Sequence, residues 1–326
     1  MAYTKSNNVF WCNHRLPLSS REIELALDPR ALKTFLAVCR AGSISEAARR
    51  LCLTQPAVSA TILQLEDGLQ TSLFTRARTG IQLTATGQAL KTRAEALEAV
   101  LDQAEREVAL LKQDVLGPLV IGGTPGALAS LVPPAVALVK RQFPAFELQI
   151  IERSDIQLNE ALRTGRIDLA IVTTGIEPVA ADMVEEGISR DPFALIVGRD
   201  NDHLPERVKL SRLVDAKWVL PHAGGAFRRQ VDALFVAAEA RSPTNVIRCD
   251  SLLTTKAIVR TTDYVTILPH EVADAELASG VLRAIEIEGV EFLRNVGVRM
   301  VKGKAMAPFA SAFLDCLRGI SAATAQ

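Results

Sequence analysis

The sequence predicts an α/β protein with a small helical head, a long connecting helix and a body of two α/β lobes. Three observations lead to this fold class. Capped amphipathic segments occupy residues 29–69, heptad-spaced apolar residues run from 90 to 111, and apolar, β-branched runs alternate with helical segments from residue 119 onward. At 326 residues the chain is too long for one simple core, so more than one domain is expected.

The formal net charge is zero, which argues against a uniformly basic nucleic-acid-binding surface. The charges are unevenly distributed, however. Residues 21–93 carry ten Lys/Arg against six Asp/Glu, whereas residues 94–326 carry 25 against 31. A basic head on an acidic body suits a protein that contacts an anionic polymer at one end only.

The five cysteines are scattered without a C-x-x-C pair, and the four histidines show no metal-ligand spacing. We therefore predict free thiols, no metal site and no cofactor. No apolar run reaches about 18 residues, so no membrane span is expected. Residues 1–20 lack the apolar core of a secretory signal, so the cytoplasm is the expected location; residues 1–28 are predicted to be a disordered extension.

The head contains the signals of three short helices. The first ends near Gly42, and Ser43 with Glu46 forms an S-x-x-E capping box that opens the second. Thr54 is placed to cap the third helix, which carries Pro56 in its first turn. The short link between the second and third helices predicts a helix-turn-helix, whose later helix lies in the DNA major groove.

The third helix has an apolar face and a polar face. Val58, Ile62 and Leu65 follow helical spacing and are expected in the core. The polar residues expected at or beside the groove are Gln55, Ser59, Thr61 and Gln64. Glutamine can bind an adenine edge with two hydrogen bonds, and serine or threonine can bind bases or phosphates.

A basic hairpin follows the third helix. Leu73–Arg76 is predicted to pair with Ile81–Thr84 around Thr79-Gly80, forming a wing whose Arg76 and Arg78 are natural phosphate contacts. The alternative is a small helical domain with a basic hairpin and no role in DNA binding.

The residues are more specific than the helical pattern. The run FLAVCRAGSISEAARRLCLTQPAVSATILQLEDGLQTSLFTRARTGIQLTATG, with its L-x-x-T-Q-P-A-V-S, L-F-x-R and L-T-x-x-G motifs, resembles the winged helix-turn-helix of LysR-type transcriptional regulators. The resemblance implies base or phosphate contacts from Gln55, Pro56 and Ser59. The predicted DNA-binding residues are Ser43, Gln55, Pro56, Ser59, Thr61, Arg76 and Arg78. Family members usually carry arginine where this chain has Ala60, a contact worth about 1–3 kcal/mol if bidentate to guanine. We therefore expect greater reliance on DNA shape and on the wing.

A long helix is expected from Ala85 to about Gln113. Its apolar residues alternate in gaps of four and three, the a/d pattern of a coiled-coil seam. The predicted dimerisation residues are Leu90, Ala94, Leu97, Leu101, Ala104, Val108 and Leu111. The alternative is packing on the protein's own body, whereas the resemblance implies a linker helix that dimerises the heads.

The first three strands of the body follow a β–α–β rhythm that predicts a parallel sheet buried on both faces. The expected strands are residues 119–123, 147–152, 168–174, 192–198, 217–221, 245–250, 264–269 and 296–303. The expected helices are residues 125–142, 156–164, 226–240, 252–261 and 307–319.

Two such lobes usually bind ligand between them, at the carboxyl ends of their strands. The motifs G-P-L-x-I-G, L-x-x-G-x-I-D-L-A-I and I-L-P resemble the effector-binding domain of LysR-type regulators, akin to periplasmic solute-binding proteins. The predicted effector-binding residues are Thr124, Pro125, Ser154, Thr173, His222, Phe227 and Pro269. Helix starts after Thr124 and near Gly224-Gly225 favour a small carboxylate. The alternative is that these threonines are only helix caps and His222 an exposed loop residue.

The expected domains are a winged helix-turn-helix over 29–87, a linker helix over 88–115 and an effector-binding domain over 116–320. Within the last, lobe I is expected over about 117–187 and 292–320, and lobe II over about 188–291. The predicted function is a sequence-specific transcriptional regulator controlled by a small effector. Its expected partners are double-stranded DNA, a second copy of the chain (a homotetramer by the resemblance) and RNA polymerase. A solute-binding or enzymatic protein with a protein-binding head is the alternative, but no catalytic constellation is found, so an enzyme is not expected.

Overall fold

The computed structural model describes residues 27–77, 80–176, 178–222 and 226–324. The chain divides into two compact units, Met1–Glu95 and Ala96–Gln326, referred to below as the head and the body. The predicted disordered extension lies almost entirely outside the described residues, as do Arg78 of the wing and the Gly224-Gly225 helix start.

The head begins with three helices whose ends agree closely with the capping signals. They are α1 (Pro29–Ala41), α2 (Ile44–Leu51) and α3 (Gln55–Leu69). Gly42 ends α1 in the left-handed conformation with φ of 67°, where a residue without Cβ is favoured. Ser43 and Thr54 cap α2 and α3 through their side chains, as predicted.

The head core is formed by the inner faces of these helices. Its buried members include Leu32, Phe35, Leu36, Val38, Ala47, Ala48, Val58, Ile62 and Leu65. The two alanines of α2 provide short side chains where α2 packs into this core. The predicted inner face of the third helix is therefore confirmed.

The wing is a two-stranded antiparallel hairpin of β1 (Phe74–Ala77) and β2 (Gly80–Leu83). Its register, with Phe74 opposite Leu83, is the predicted one, although both strands are shifted by one residue. The Glu66 carboxylate at the end of α3 accepts hydrogen bonds from the backbone N–H of Leu73 (2.6 Å) and of Phe74 (3.2 Å). This acid fastens the start of the wing to α3.

Helix α4 (Ala85–Leu111) is capped by Thr84, whose Oγ1 accepts from the N–H of Gly87 at 2.9 Å. A side chain on Gly87 would collide with the Leu73 carbonyl oxygen, which explains the glycine of the L-T-x-x-G motif. The assignment of Ala94 to a dimer seam is corrected, because Ala94 is only 2% exposed and packs in the head core. Leu90 is partly buried against the same core. The first two residues of the predicted seam, Leu90 and Ala94, therefore pack in the core of the head.

The body contains all the predicted strands and helices, together with elements that were not predicted. The strands are β3 (Leu116–Gly123), β4 (Phe146–Glu152), β5 (Leu169–Thr173), β6 (Met183–Val197), β7 (Arg207–Val208), β8 (Trp218–Leu220), β9 (Val246–Arg248), β10 (Thr266–Pro269), β11 (Arg283–Ile287) and β12 (Leu293–Val301). The helices are α5 (Pro125–Gln142), α6 (Asp155–Arg163), α7 (Ala226–Ala237), α8 (Leu252–Thr261), α9 (Asp274–Ala278) and α10 (Pro308–Thr324).

The first three strands of the body form a parallel sheet, as predicted, but the sheet continues with antiparallel strands. Strands β3, β4 and β5 are parallel, but β12 runs antiparallel to both β5 and β6. Strands β10 and β11 also pair antiparallel with β6. The 15-residue β6 therefore takes part in both lobes, and only its last third corresponds to the predicted strand over 192–198.

Each lobe has its own buried clusters. In lobe I, Leu119 and Ile121 of β3 pack with Phe313 of α10. In lobe II, Trp218 of β8 packs with Leu195 of β6 and Val231 of α7. None of the helices in the described part of the chain combines the length and apolar character that a membrane span requires.

Candidate functional sites

The start of α3 presents polar groups in a fixed arrangement. Thr54 Oγ1 accepts from the backbone N–H of Ala57 at 3.4 Å, and Gln55 and Pro56 follow as the first exposed residues of the helix. Ser45 Oγ of α2 donates to Gln55 Oε1 at 3.2 Å. The Gln55 amide oxygen is thereby held by α2, which leaves its NH₂ group to donate elsewhere.

The rest of the outward face of α3 carries both apolar and polar side chains, including the exposed Gln64. Ala60 and Leu63 are exposed, with 56% of Leu63 accessible, while Ser59 and Thr61 are half-buried. Thr61 Oγ1 donates within the helix, to the Ala57 carbonyl at 3.0 Å. The sequence interpretation missed Leu63, although its position three residues after Ala60 could have placed it on this face.

Ser43 has a structural role at the start of α2. Its Oγ accepts from the backbone N–H of Glu46 at 3.2 Å, which is one half of the predicted capping box. The Glu46 carboxylate pairs with Arg50 (3.0 Å) and with Arg49. These two arginines lower the pKa of Glu46, chiefly through the hydrogen bond from Arg50.

The wing places Arg76 in β1, opposite Ile81 of β2. The side chain of Arg76, like the whole of Arg78, lies outside what the structure describes. Their phosphate contacts therefore remain predictions.

Helix α4 carries its remaining seam residues on the surface of the single chain. Leu97, Leu101, Ala104, Val108 and Leu111 are all exposed. A different face of the helix is attached to the body, where Gln103 Nε2 donates to Asp168 Oδ1 at 3.1 Å. The same carboxylate accepts from the backbone N–H of Val120 at 2.9 Å. Helix α4 therefore contacts the body through one face and exposes the predicted apolar seam on another.

A cleft of about 650 Å³ lies between the two lobes of the body. All seven predicted effector residues line it: Thr124, Pro125, Ser154, Thr173, His222, Phe227 and Pro269. Charged residues of the lining that were not predicted are Glu152, Arg153, Asp155, Arg228, Arg229, Asp250 and Arg294. The sequence therefore predicted the place of the cleft and seven of its lining residues, but none of the charged residues named here.

In lobe I, the polar residues of the cleft lie at strand ends. Thr124 precedes α5, and its side chain makes no capping hydrogen bond, so its hydroxyl is not used for that purpose. The Ser154 backbone N–H and Oγ both donate to Gln157 Oε1, at 3.2 and 3.1 Å. Thr173 ends β5, where it pairs with Val296.

In lobe II, the aromatic residue of the cleft is stacked on a second aromatic ring, and the histidine is exposed. Phe227 stacks on Phe193 with ring centroids 6.2 Å apart and an interplanar angle of 14°. His222 is exposed, and its backbone N–H donates to Asp250 Oδ1 at 2.7 Å. The Asp250 carboxylate thereby holds the backbone of His222, two residues after β8.

A buried ion pair lies beneath the cleft. Arg294 of β12 is 2% exposed and Asp191 of β6 is fully buried, with Arg294 Nη2 donating to Asp191 Oδ2 at 2.9 Å and to Ser130 Oγ at 3.0 Å. Burial raises the pKa of Asp191, against the opposing effect of the Arg294 charge. Burial likewise lowers the pKa of Arg294, against the attraction of Asp191. Asp191 and Arg294 lie just before the predicted strands 192–198 and 296–303, so the sequence pattern did not indicate this pair.

A helix-turn-helix head with a wing, joined by a long helix to a two-lobed body with a central cleft, defines a ligand-responsive class of DNA-binding regulator. Two protein-family models match this chain and identify its family. The model described as the bacterial regulatory helix-turn-helix protein of the lysR family matches residues 29–88. The model described as the LysR substrate binding domain matches residues 112–321. This chain belongs to the LysR family of transcriptional regulators.

Relatives of known sequence agree. The HTH-type transcriptional regulator GalR of Pseudomonas putida is 26% identical over 292 residues, which cover 89% of this chain and 73% of the relative. The HTH-type transcriptional regulator TdcA of Escherichia coli K12 is 27% identical over 238 residues, covering 73% and 76% of the two chains. The protein is accordingly a DNA-binding transcriptional regulator with an effector-binding domain.

Solved structures show the same fold. CbnR, a LysR family transcriptional regulator, matches with a TM-score of 0.68 at 20% identity, over 90% of this chain and 99% of CbnR. Full-length OxyR from Pseudomonas aeruginosa matches with a TM-score of 0.65 at 23% identity, over 90% and 95% of the two chains. A further structure holds full-length CbnR in complex with its target DNA.

Proposed function

We propose that this protein binds operator DNA sequence-specifically as a homodimer or homotetramer, and that a small carboxylate bound in its cleft changes that binding. The effector-binding part of this proposal is supported by one observation. The seven residues predicted from sequence all line one cleft of about 650 Å³. A cavity of this volume lies within the usual range of about 300–1,000 Å³ for small-molecule sites.

The ligand class is inferred from the polar groups of the cleft. Thr124 and Thr173 offer hydroxyl groups, whereas the hydroxyl of Ser154 already donates to Gln157. The start of the 18-residue α5 borders the same space. The first N–H groups of a helix have no partner within the helix and favour negative charge. An aromatic or sugar-derived carboxylate, with its ring against Phe227, fits this combination.

The proposed DNA binding is supported by the residues at the start of α3 and by those of the wing. Gln55 can bind a base edge with the NH₂ group that its contact with Ser45 leaves available, and Pro56 and Ser59 follow on the same helix. Thr61 and Ser43 have a smaller role, because their hydroxyls already bond the backbone of their own helices. Arg76 and Arg78 are proposed to bind phosphates, which position the protein without selecting sequence.

The dimer is proposed to form through the exposed part of α4, from Leu97 to Leu111. Exposed leucine and valine at heptad spacing are stabilised when a second helix covers them. Two paired heads would address half-sites about 34–36 Å apart. We also propose that the oligomer, once bound to its operator, contacts RNA polymerase.

A gel shift with the DNA upstream of the protein's own gene tests this function, with and without added carboxylates. We expect a shifted complex whose affinity or mobility changes with at least one carboxylate. Gln55→Ala should weaken the preference for this DNA over an unrelated fragment, while Gln113→Ala, the same truncation beyond α4, should not. Ligand binding without any DNA affinity would favour the solute-binding or enzymatic alternative.

A further inference from the structure

Helix α4 packs against lobe I of its own chain through a face that the predicted seam does not use. The residues of this face are Ala96, Ala99 and Gln103, which are half-buried, whereas the seam residues beside them are exposed. At about 100° per residue, the centre of this face lies roughly 130° around the helix from the centre of the seam. A second helix can therefore cover the seam while lobe I keeps its contact with α4.

The turn that precedes β5 comes close to α4. Gly165 lies in this turn with φ of 67°, the left-handed conformation that favours glycine. A Cβ built on Gly165 would lie 3.8 Å from the Cβ of Ala99 and 4.0 Å from the carbonyl oxygen of Ala96, which is ordinary van der Waals contact. The short side chains of these two alanines allow lobe I to approach the helix this closely.

One carboxylate joins α4 to the sheet of lobe I. Asp168 Oδ1 accepts from Gln103 Nε2 at 3.1 Å, and Asp168 Oδ2 accepts from the backbone N–H of Val120 in β3 at 2.9 Å. Hydrogen bonds to a charged group are about twice as strong as those between neutral groups. Because Asp168 directly precedes β5, it connects α4 to both β3 and β5.

The same two strands carry cleft residues at their other ends. Strand β3 leads to Thr124 and β5 ends at Thr173, and both threonines line the cleft. We propose that Gln103 and Asp168 dock α4 onto lobe I of the same chain, and that α4 and lobe I act as one body when the protein binds DNA. Gln103 is then a positioning residue. Any movement of the two lobes about the cleft displaces lobe II, and not lobe I, relative to α4.

Disulfide trapping in the full-length protein tests this docking. The Ala99→Cys/Gly165→Cys double variant places two Cβ atoms 3.8 Å apart, within the usual spacing of about 3.5–4.5 Å across a disulfide. After mild oxidation we expect a disulfide between these two positions within one chain, identified by peptide mapping. Ala104→Cys/Gly165→Cys is the matched control and should give no such link within one chain, because Ala104 lies on the exposed seam.

The role of Gln103 is tested in the same double variant. Adding Gln103→Glu puts a second carboxylate opposite Asp168 in place of a hydrogen-bond donor, and it should slow disulfide formation about tenfold or more. Adding Gln113→Glu introduces the same charge beyond the end of α4 and should leave the rate unchanged. Equal rates in the two backgrounds would overturn the role of Gln103.

A second cross-link leaves Gly165 unchanged, since a cysteine in its left-handed conformation is strained. Lys304 Nζ lies 3.8 Å from the Cβ built on Gly165, the same distance as the Cβ of Ala99. A carboxylate introduced by Ala99→Glu therefore lies within reach of Lys304, and a carbodiimide should join the two as an amide within one chain. Ala104→Glu is the control and should give no amide with Lys304 within one chain.

The cross-links decide the docking independently of DNA binding. A disulfide or amide within one chain supports it, whereas links that form only between two chains, or neither link, would overturn it. The oxidised double variant should bind the upstream DNA as tightly as the reduced form. A loss of affinity on oxidation that reduction restores would overturn the claim that the docked form binds DNA. Failure of the wild type to bind this DNA would contradict the proposed function and leave the docking result unaffected.

Discussion

Ser45 Oγ of α2 donates a hydrogen bond to Gln55 Oε1, the first side chain of α3, at 3.2 Å. Both residues of this pair belong to the helix-turn-helix, so α2 holds the side-chain amide of Gln55 at the start of α3. The bond fixes which end of the amide is available, because a held oxygen leaves the NH₂ donors facing outward. If Gln55 reads a base, as proposed, sequence preference is expected to depend on Ser45 as well.

Gln55→Ala is expected to relax sequence preference, with a loss of about 1–3 kcal/mol at the base it reads. Ser45→Ala should give a smaller loss at the same base pair, since the amide is then free to rotate. The measurement is the affinity for operators that differ by single base pairs. If Gln55→Ala leaves the ranking of these operators unchanged, α3 does not read DNA through this residue.

Leu63 is predicted to add an apolar contact to the DNA readout of α3. With 56% of its surface exposed on the outward side of the helix, it is able to contact thymine methyl groups in the major groove. Replacing the contacted thymine by uracil should weaken wild-type binding by about 0.8 kcal/mol, or about fourfold, and Leu63→Ala binding much less. An equal effect of uracil on both proteins would exclude this contact.

Leu101 is expected to hold the dimer, since it is 46% exposed in the single chain and lies within the remaining seam, between Leu97 and Ala104. Leu101→Glu should shift the protein toward monomers and weaken DNA binding, because it places a charge in a surface otherwise stabilised by about 1.5–3 kcal/mol per buried leucine. Analytical ultracentrifugation measures this, with Gln113→Glu as the charge-matched control. A mutant as oligomeric as the wild type would place the interface elsewhere.

Glu271 makes the stability of the body depend on pH. Burial, followed by the nearby Asp191 charge, raises its pKa above the usual value, while Arg294 opposes the increase. Ionisation of Glu271 therefore destabilises the folded state as pH rises through this raised pKa, and the penalty is absent below the unfolded value of about 4.3. Glu271→Gln should be more stable than the wild type at pH 7.5, with little difference near pH 4. A stability difference that is the same at both pH values, from urea midpoints, would contradict this assignment.

Much of the head could be predicted from sequence because its signals are local. Caps such as Ser43 and Thr54 lie within three residues of the groups they bind. Strand β6 was recognised only at its end, because its first residues, MVEEGISRD, are mostly polar and show no strict alternation. Its pairing with β12 joins residues more than a hundred positions apart, which periodicity does not report.

The same limits apply to the sites. Thr124 and Thr173 could be placed at the cleft because they end strands of a recognised α/β pattern. Arg294 could not, since only the tertiary fold brings it to Asp191 and Gly126. Ala94 was misassigned because one heptad position can serve the head core as well as a partner helix.

The most direct test of the central claim, that the head binds operator DNA through a protein–phosphate and protein–base interface, is the salt dependence of its affinity. Binding to the upstream DNA should weaken steeply between about 50 and 200 mM salt, with log K falling linearly by about 0.9 per phosphate contact. Arg76→Ala should reduce this slope by about 1 for each arginine removed and weaken binding equally on all sequences. An affinity that does not change with salt would contradict the account.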